Sequence, residues 1–190
     1  RVKSHTKAEK LLESVSNILA MASNAQPNLS LVIPPLVSGE WKENQSKTSK
    51  ELETHLSKID SIVQVINVAA IFFNKAQPLI TYSTLKLHEE LLNLSKKVLY
   101  TGICLRSEDN VQQRATNRAI LYTPPARKGA IKDCVIYEHS LELIRTLRVS
   151  NFSQKCVFLT SNIKDFCDES GSSPQEPIKS ELDGVSADLT

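Results

Sequence analysis

The chain has 190 residues, with 41% hydrophobic and 23% charged, enough for one domain with a buried core and unlike the composition of a disordered polypeptide. A net charge of +2 gives no bulk basic signal, so any nucleic-acid site must be a local patch. Cys104, Cys134, Cys156 and Cys167 show no C-x-x-C spacing, and three lie in or beside apolar runs. Reduced core thiols in a cytoplasmic protein are expected, rather than disulfides or zinc. No apolar run reads as long enough to span a membrane, and the start has no signal-peptide pattern. Residue 1 is Arg rather than Met, which suits a processed product or a fragment.

Residues 6 to 22 predict a helix, with Thr6 as N-cap and Glu9 at capping-box spacing. Its apolar face is Leu11, Leu12, Val15, Ile18, Leu19 and Ala22. Pro27 closes it. Leu29 to Ile33 predict a short buried strand, stopped by Pro34 and Pro35, which also pre-set the next helix. That helix carries Leu36, Val37 and Glu40. Residues 42 to 60 are polar with a thin stripe of Leu52, Leu56 and Ile59, the pattern of a solvated helix. Residues 61 to 73 are apolar and β-branched, suiting a buried helix or a strand.

Helices are expected over 84 to 99, 108 to 120 and 130 to 148, the last being the strongest. A basic, proline-containing loop over 123 to 129 precedes that last helix, and Lys155 to Thr160 predict a second strand. Beyond Asp165 the composition shifts. Residues 167 to 190 hold six acids against the single Lys179, and an acidic, poorly ordered extension is expected there. Helices alternating with short apolar strands predict an α/β class with a small parallel sheet.

The chemistry concentrates in two stretches. Lys132-Asp133-Cys134-Val135 opens the strongest helix with an acid, and Leu159-Thr160-Ser161-Asn162-Ile163-Lys164-Asp165-Phe166 ends an apolar strand in a polar turn with another. Ligands of open α/β sheets bind beyond the carboxyl ends of strands, so these acids can meet at one edge. Paired carboxylates there are hard oxygen ligands, suited to Mg²⁺ or Mn²⁺. Glu40 can equally serve the helix dipole. Glu138, five residues beyond Asp133, turns away from it and reads as structural. His5, His55, His88 and His139 have no ligand spacing, and Trp41 reads as packing.

Together with Leu31-Val32-Ile33-Pro34-Pro35-Leu36-Val37-Ser38-Gly39-Glu40 and Gly129-Ala130-Ile131-Lys132-Asp133, these motifs resemble the PIN domain family over about residues 6 to 166. The closest likeness is to bacterial PIN-like domains. The resemblance implies a three-layer α/β fold with helices on both faces of the sheet, a helical insertion from about 42 to 120, and a domain spanning 1–166 with the acidic extension 167–190 after it. It implies a metal-dependent nuclease in which Glu40, Asp133 and Asp165 hold Mg²⁺ or Mn²⁺, Thr160 orients, and Asn162 supports the turn or touches a water. RNA is the expected substrate, as for the toxin ribonucleases of toxin–antitoxin pairs, with an antitoxin or second copy as protein partners and no membrane. Arg114, Arg118, Arg127, Lys128 and Lys132 form a basic approach to Asp133, offering phosphate contacts. The family opens with a strand ending in Asp. No such strand lies ahead of residue 6, so a truncated start is expected. The rival expectations are an inactive PIN-like module that binds RNA or protein, and a helical interaction domain in which Asp133 and Asp165 lie far apart.

Overall fold

The computed structural model describes residues 2–24, 29–75, 80–126 and 130–190, with the side chains of residues 2–9 and 11 outside that description. It divides into two compact units, one of Arg1–Leu31 and Ser38–Ile103, the other of Val32–Val37 and Cys104–Thr190.

The first unit is helical. Helix α1 (Val2–Ala22) begins ahead of Thr6, which therefore lies inside it rather than capping it. Helix α2 runs unbroken over 36 residues, Val37–Phe72. No proline interrupts it, and Lys and Glu in its first half favour the helical backbone. It ends where Asn74 turns left-handed at φ 51°. There the Lys75 N–H donates to the Ala70 carbonyl at 2.7 Å and the Asn74 N–H to the Ile71 carbonyl at 3.0 Å, a Schellman-type stop. A short 3-10 turn, Tyr82–Leu85, and helix α3, Leu87–Thr101, follow. The predicted helix over 84 to 99 is thus split by Lys86, at φ 50°. Asp60, buried on α2, accepts hydrogen bonds from the N–H groups of Tyr82 and Ser83 at 2.5 and 2.9 Å. Trp41 Nε1 donates to Ser95 Oγ at 3.0 Å, fastening α2 to α3, and α1 packs on α3.

The apolar second half of α2 is helix, not strand, but it is not buried. Val65 is 71% exposed and Phe72 81% exposed, with Ile62, Ile66, Val68 and Ile71 also open. By length and composition alone α2 could cross a membrane, contrary to the expectation that no apolar run is long enough. The sequence showed a β-branched stretch without a clean polar face, and such stretches do not reveal what covers them.

All described strand residues except Ile103 fall in the second unit. Strand β1 (Val32–Ile33) pairs with β2 (Ile103–Cys104), and the Leu105 N–H donates to the Ile33 carbonyl at 2.9 Å. Helix α4 (Asp109–Ile120) packs along α5 (Ile131–Val149). Buried Ala115, Ala119, Ala126 and Cys134 line this contact with Val135, small side chains that let backbones approach closely. Helix α4, expected within a helical insertion from about 42 to 120, belongs to the second unit.

Strand β3 (Cys156–Phe158) is followed by the one-turn helix α6 (Ile163–Phe166), helix α7 (Glu176–Asp183) and strand β4 (Ala187–Leu189). β3 and β4 run parallel, with Cys156 opposite Ala187 and Phe158 opposite Leu189. Among the described residues the strands form two separate two-stranded sheets, β1–β2 and the parallel β3–β4, in keeping with a mixed α/β fold.

Segment 167–190, expected to be a loose extension, is folded. Ile178, Leu182 and Ala187 join Tyr137, Leu141, Ile144, Phe158 and Phe166 in one core. The acidic bias concealed an amphipathic turn, Pro177-Ile178-Lys179-Ser180-Glu181-Leu182, whose two apolar residues fall four apart on one face. Each such side chain contributes about 1.5–3 kcal/mol on burial.

Candidate active site

Three aromatic side chains set the position of the polar residues. Tyr137 on α5, Phe158 on β3 and Phe166 on α6 pack mutually, with ring centroids 5.2 to 5.9 Å apart. Each stands close in the chain to a site residue. Tyr137 is one helical turn after Asp133, Phe158 is two before Thr160, and Phe166 adjoins Asp165. Such pairs add about 0.5–1.5 kcal/mol beyond area burial, so the three elements are held as a unit.

The turn after β3 is shaped by its own side chains. The Asn162 N–H donates to Thr160 Oγ1 at 3.1 Å, a local side-chain bond that bends the backbone. Asn162 then heads α6, and its Nδ2 donates to two carboxylates, Oδ2 of Asp133 at 3.3 Å and Oδ2 of Asp165 at 2.8 Å. The two acids therefore meet at one amide, which rules out the expectation that they lie far apart. All three residues are half-buried. Asp133 sits in the first turn of α5, where the exposed N–H groups favour an acid.

Glu40 lies in the first turn of α2, in the first unit, whereas Asp133 and Asp165 belong to the second. Among the described residues no group of three or more His, Cys, Asp or Glu forms a metal-binding cluster. The donor set at Asp133 and Asp165 still suits a hard cation, because Mg²⁺ sites commonly use one or two carboxylates and leave the remaining positions to water and substrate phosphate. The Asn162 amide adds a carbonyl oxygen of the same hard type.

The expected basic approach is only partly a surface feature. Arg127 and Lys128 lie outside the described residues. Lys132 is exposed beside Asp133, as Lys164 is beside Asp165. Arg118 offers no phosphate contact: it is 8% exposed and its guanidinium is filled. It donates to Glu138 Oε1 at 2.7 Å, to Glu181 Oε1 at 2.5 Å and to the Pro124 carbonyl, and lies over the Tyr137 ring. Burial opposes its charge, but the bonds to Glu181 and Glu138 outweigh it and raise its pKa. Arg114 is half-exposed and pairs with Glu142 at 2.6 Å and Glu138 at 3.3 Å. These arginines read as a basic patch in sequence because their acidic partners lie on other helices, α5 and α7.

Sequence reasoning missed Gln175 and Glu181. Glu181 Oε2 accepts from the Tyr137 hydroxyl at 2.9 Å, and Gln175 Nε2 donates to the Asp165 carbonyl at 3.0 Å. The helical spacing of Ile178 and Leu182 was the one signal that could have found them, since it places 175 to 183 against the core.

A sequence model of the PIN domain family matches residues 6–166. The chain belongs to the PIN domain family. PIN domains are generally nucleases and usually use divalent metals, which agrees with carboxylates gathered at a strand end. No curated protein and no solved structure matches this PIN domain. The match ends at Phe166, so α7 and β4 lie outside it.

Proposed function

We propose that this PIN domain hydrolyses phosphodiester bonds in RNA, with Mg²⁺ or Mn²⁺ held by Asp133 and Asp165. The observation that supports the reading is the shared contact of both carboxylates with Asn162 Nδ2, at the carboxyl end of β3. A divalent ion bound there would neutralise phosphoryl charge and help to activate water. Asp133 and Asp165 would supply oxygen ligands from the first turn of α5 and from α6, the turn of helix that follows β3. Thr160 fixes the turn by accepting the Asn162 N–H. The Asn162 amide keeps the two carboxylates side by side. Lys132 and Lys164 provide positive charge next to the acids, which offsets their repulsion of a phosphate backbone.

A second reading, a PIN module that binds RNA or a protein without cleaving, draws on the lack of a third clustered acid among the described residues. Calorimetric Mn²⁺ titration of the wild type and Asp133→Asn, followed by cleavage of single-stranded RNA, separates the two. Metal uptake and cleavage by the wild type, both lost in Asp133→Asn, are the expected results. RNA binding with neither uptake nor cleavage favours the second reading.

A further inference from the structure

The segment beyond Phe166 does more than complete the core. We propose that Gln175 is a positioning residue for Asp165, and through it for the Asp133–Asn162–Asp165 group. This inference rests on the reading of that group as the metal site.

Helix α6 has only four residues: the Cys167 N–H donates to the Ile163 carbonyl at 2.9 Å, and no further helical turn follows to serve the later carbonyls. Gln175 supplies partners for two of them. Its side-chain Nε2 donates to the Asp165 carbonyl at 3.0 Å, and its backbone N–H donates to the Phe166 carbonyl, also at 3.0 Å. The acid that contacts Asn162 therefore has its backbone held by one residue from outside the family match.

Gln175 is itself fixed. It is the N-cap of α7, whose Ile178 and Leu182 are buried in the core, and Glu181 on that helix binds Arg118 and Tyr137. The connection between α6 and Gln175 is also closed. Cys167 bridges to Pro174, and the Asp168 N–H donates to the Ser173 carbonyl at 2.8 Å. Gly171 folds over α6 at φ 69°, where a Cβ would come within 3.0 Å of Ile163 Cγ2. The path from core to site thus runs through α7, then Gln175, then the Asp165 backbone. Removing the Nε2 donor leaves the core anchors intact and frees the Asp165 carbonyl.

The test uses Gln175→Met, which keeps length and bulk without a donor, and Gln175→Glu, which is isosteric and puts an acceptor against the carbonyl at neutral pH. Three quantities are measured on the full chain: the melting temperature, Mn²⁺ affinity by calorimetry, and, without metal, the side-chain amide resonances of Asn162, assigned by their absence in Asn162→Asp. Residues that orient ligands typically affect metal affinity by 10–100-fold, so a loss of about tenfold is expected in both variants. The Asn162 resonances should shift and lose exchange protection, with the melting temperature little changed. Wild-type Mn²⁺ affinity and unshifted Asn162 resonances in a folded variant would overturn the proposal. If the wild type takes up no Mn²⁺, the metal reading falls, and the Asn162 resonances alone decide whether Gln175 positions Asp165.

Discussion

Asp133 and Asp165 accept hydrogen bonds from the same nitrogen, Nδ2 of Asn162. Two carboxylates side by side repel, and here one neutral amide holds them together. In Asn162→Ala the donor is gone and the repulsion remains. The metal-free variant should lose about 1.5–3 kcal/mol, the usual worth of hydrogen bonds to charged groups. The same amide keeps the carboxylates placed for a divalent ion, so Mn²⁺ should raise the melting temperature of the wild type more than that of Asn162→Ala. Thermal melts with and without Mn²⁺ measure both, and a wild type whose melting temperature Mn²⁺ leaves unchanged would count against a cation site.

Arg118 ties three elements of the second unit, and its loss should cost far more than that of an exposed arginine. Arg118→Met would leave Glu138, which is 4% exposed, with Arg114 as a remaining cationic partner, and would break the link to Glu181. Removing one partner of a buried pair costs about 3–5 kcal/mol, and the surviving Arg114 pair places the loss at the lower end. Arg114→Met should cost about 1 kcal/mol or less, since its pairs are partly solvated. Urea unfolding of both variants gives the comparison. If Arg118 were instead a phosphate ligand, Arg118→Met would weaken RNA binding with little loss of stability.

The β3 turn and the α5 start were legible in sequence because an apolar run ending in Thr-x-Asn and an acid opening an amphipathic helix are local patterns. Asp133 and Asp165 stand on those two elements, and the fold brings them to one amide. The order of helices was legible for the same reason, and α4 and α5 run close to their expected limits. Three things were not. The acids on α5 and α7 that neutralise Arg114 and Arg118 come from other helices, and no local spacing records them. The folding of 167–190 depends on Ile178, Leu182 and Ala187 meeting a core made by β3 and α5, which composition cannot express. The exposure of α2 between Ile62 and Phe72 is invisible to periodicity, which reports apolar surface and not its cover.

Segment 167–190 should behave as part of the domain. Leu182→Ala removes a side chain that is 3% exposed, and core truncations of this kind cost about 2–5 kcal/mol. Phe166→Ala should cost about 3–5 kcal/mol and, by loosening the aromatic trio, disturb Asp165 next to it. Denaturation midpoints measure the stability loss. A Leu182→Ala variant as stable as the wild type would restore the view of this segment as a loose extension.

Two groups give opposite pH limits. The Asp60 carboxyl is held below its ordinary value of 3.8, first by its hydrogen bond with Ser83, with burial opposing and the Ser83 and Tyr82 N–H groups assisting. Its folded pKa is depressed, so its contribution is present above 3.8 and is lost as pH falls through the lowered value. The Cys134 thiol is pushed up from 9.0 to about 11, chiefly by burial, with Arg118 opposing and Asp133 and Glu138 adding to the rise. Its folded pKa is raised, so its contribution is complete below pH 9 and is lost as pH rises toward 11. In Cys134→Ala the midpoint at pH 7 should fall through lost packing, and the decline between pH 9 and 11 should flatten. Asp60→Asn should flatten the acid limb and leave the alkaline one unchanged. Melting temperature against pH for the wild type and both variants tests the assignments, and an alkaline slope that survives in Cys134→Ala would place its origin in another group.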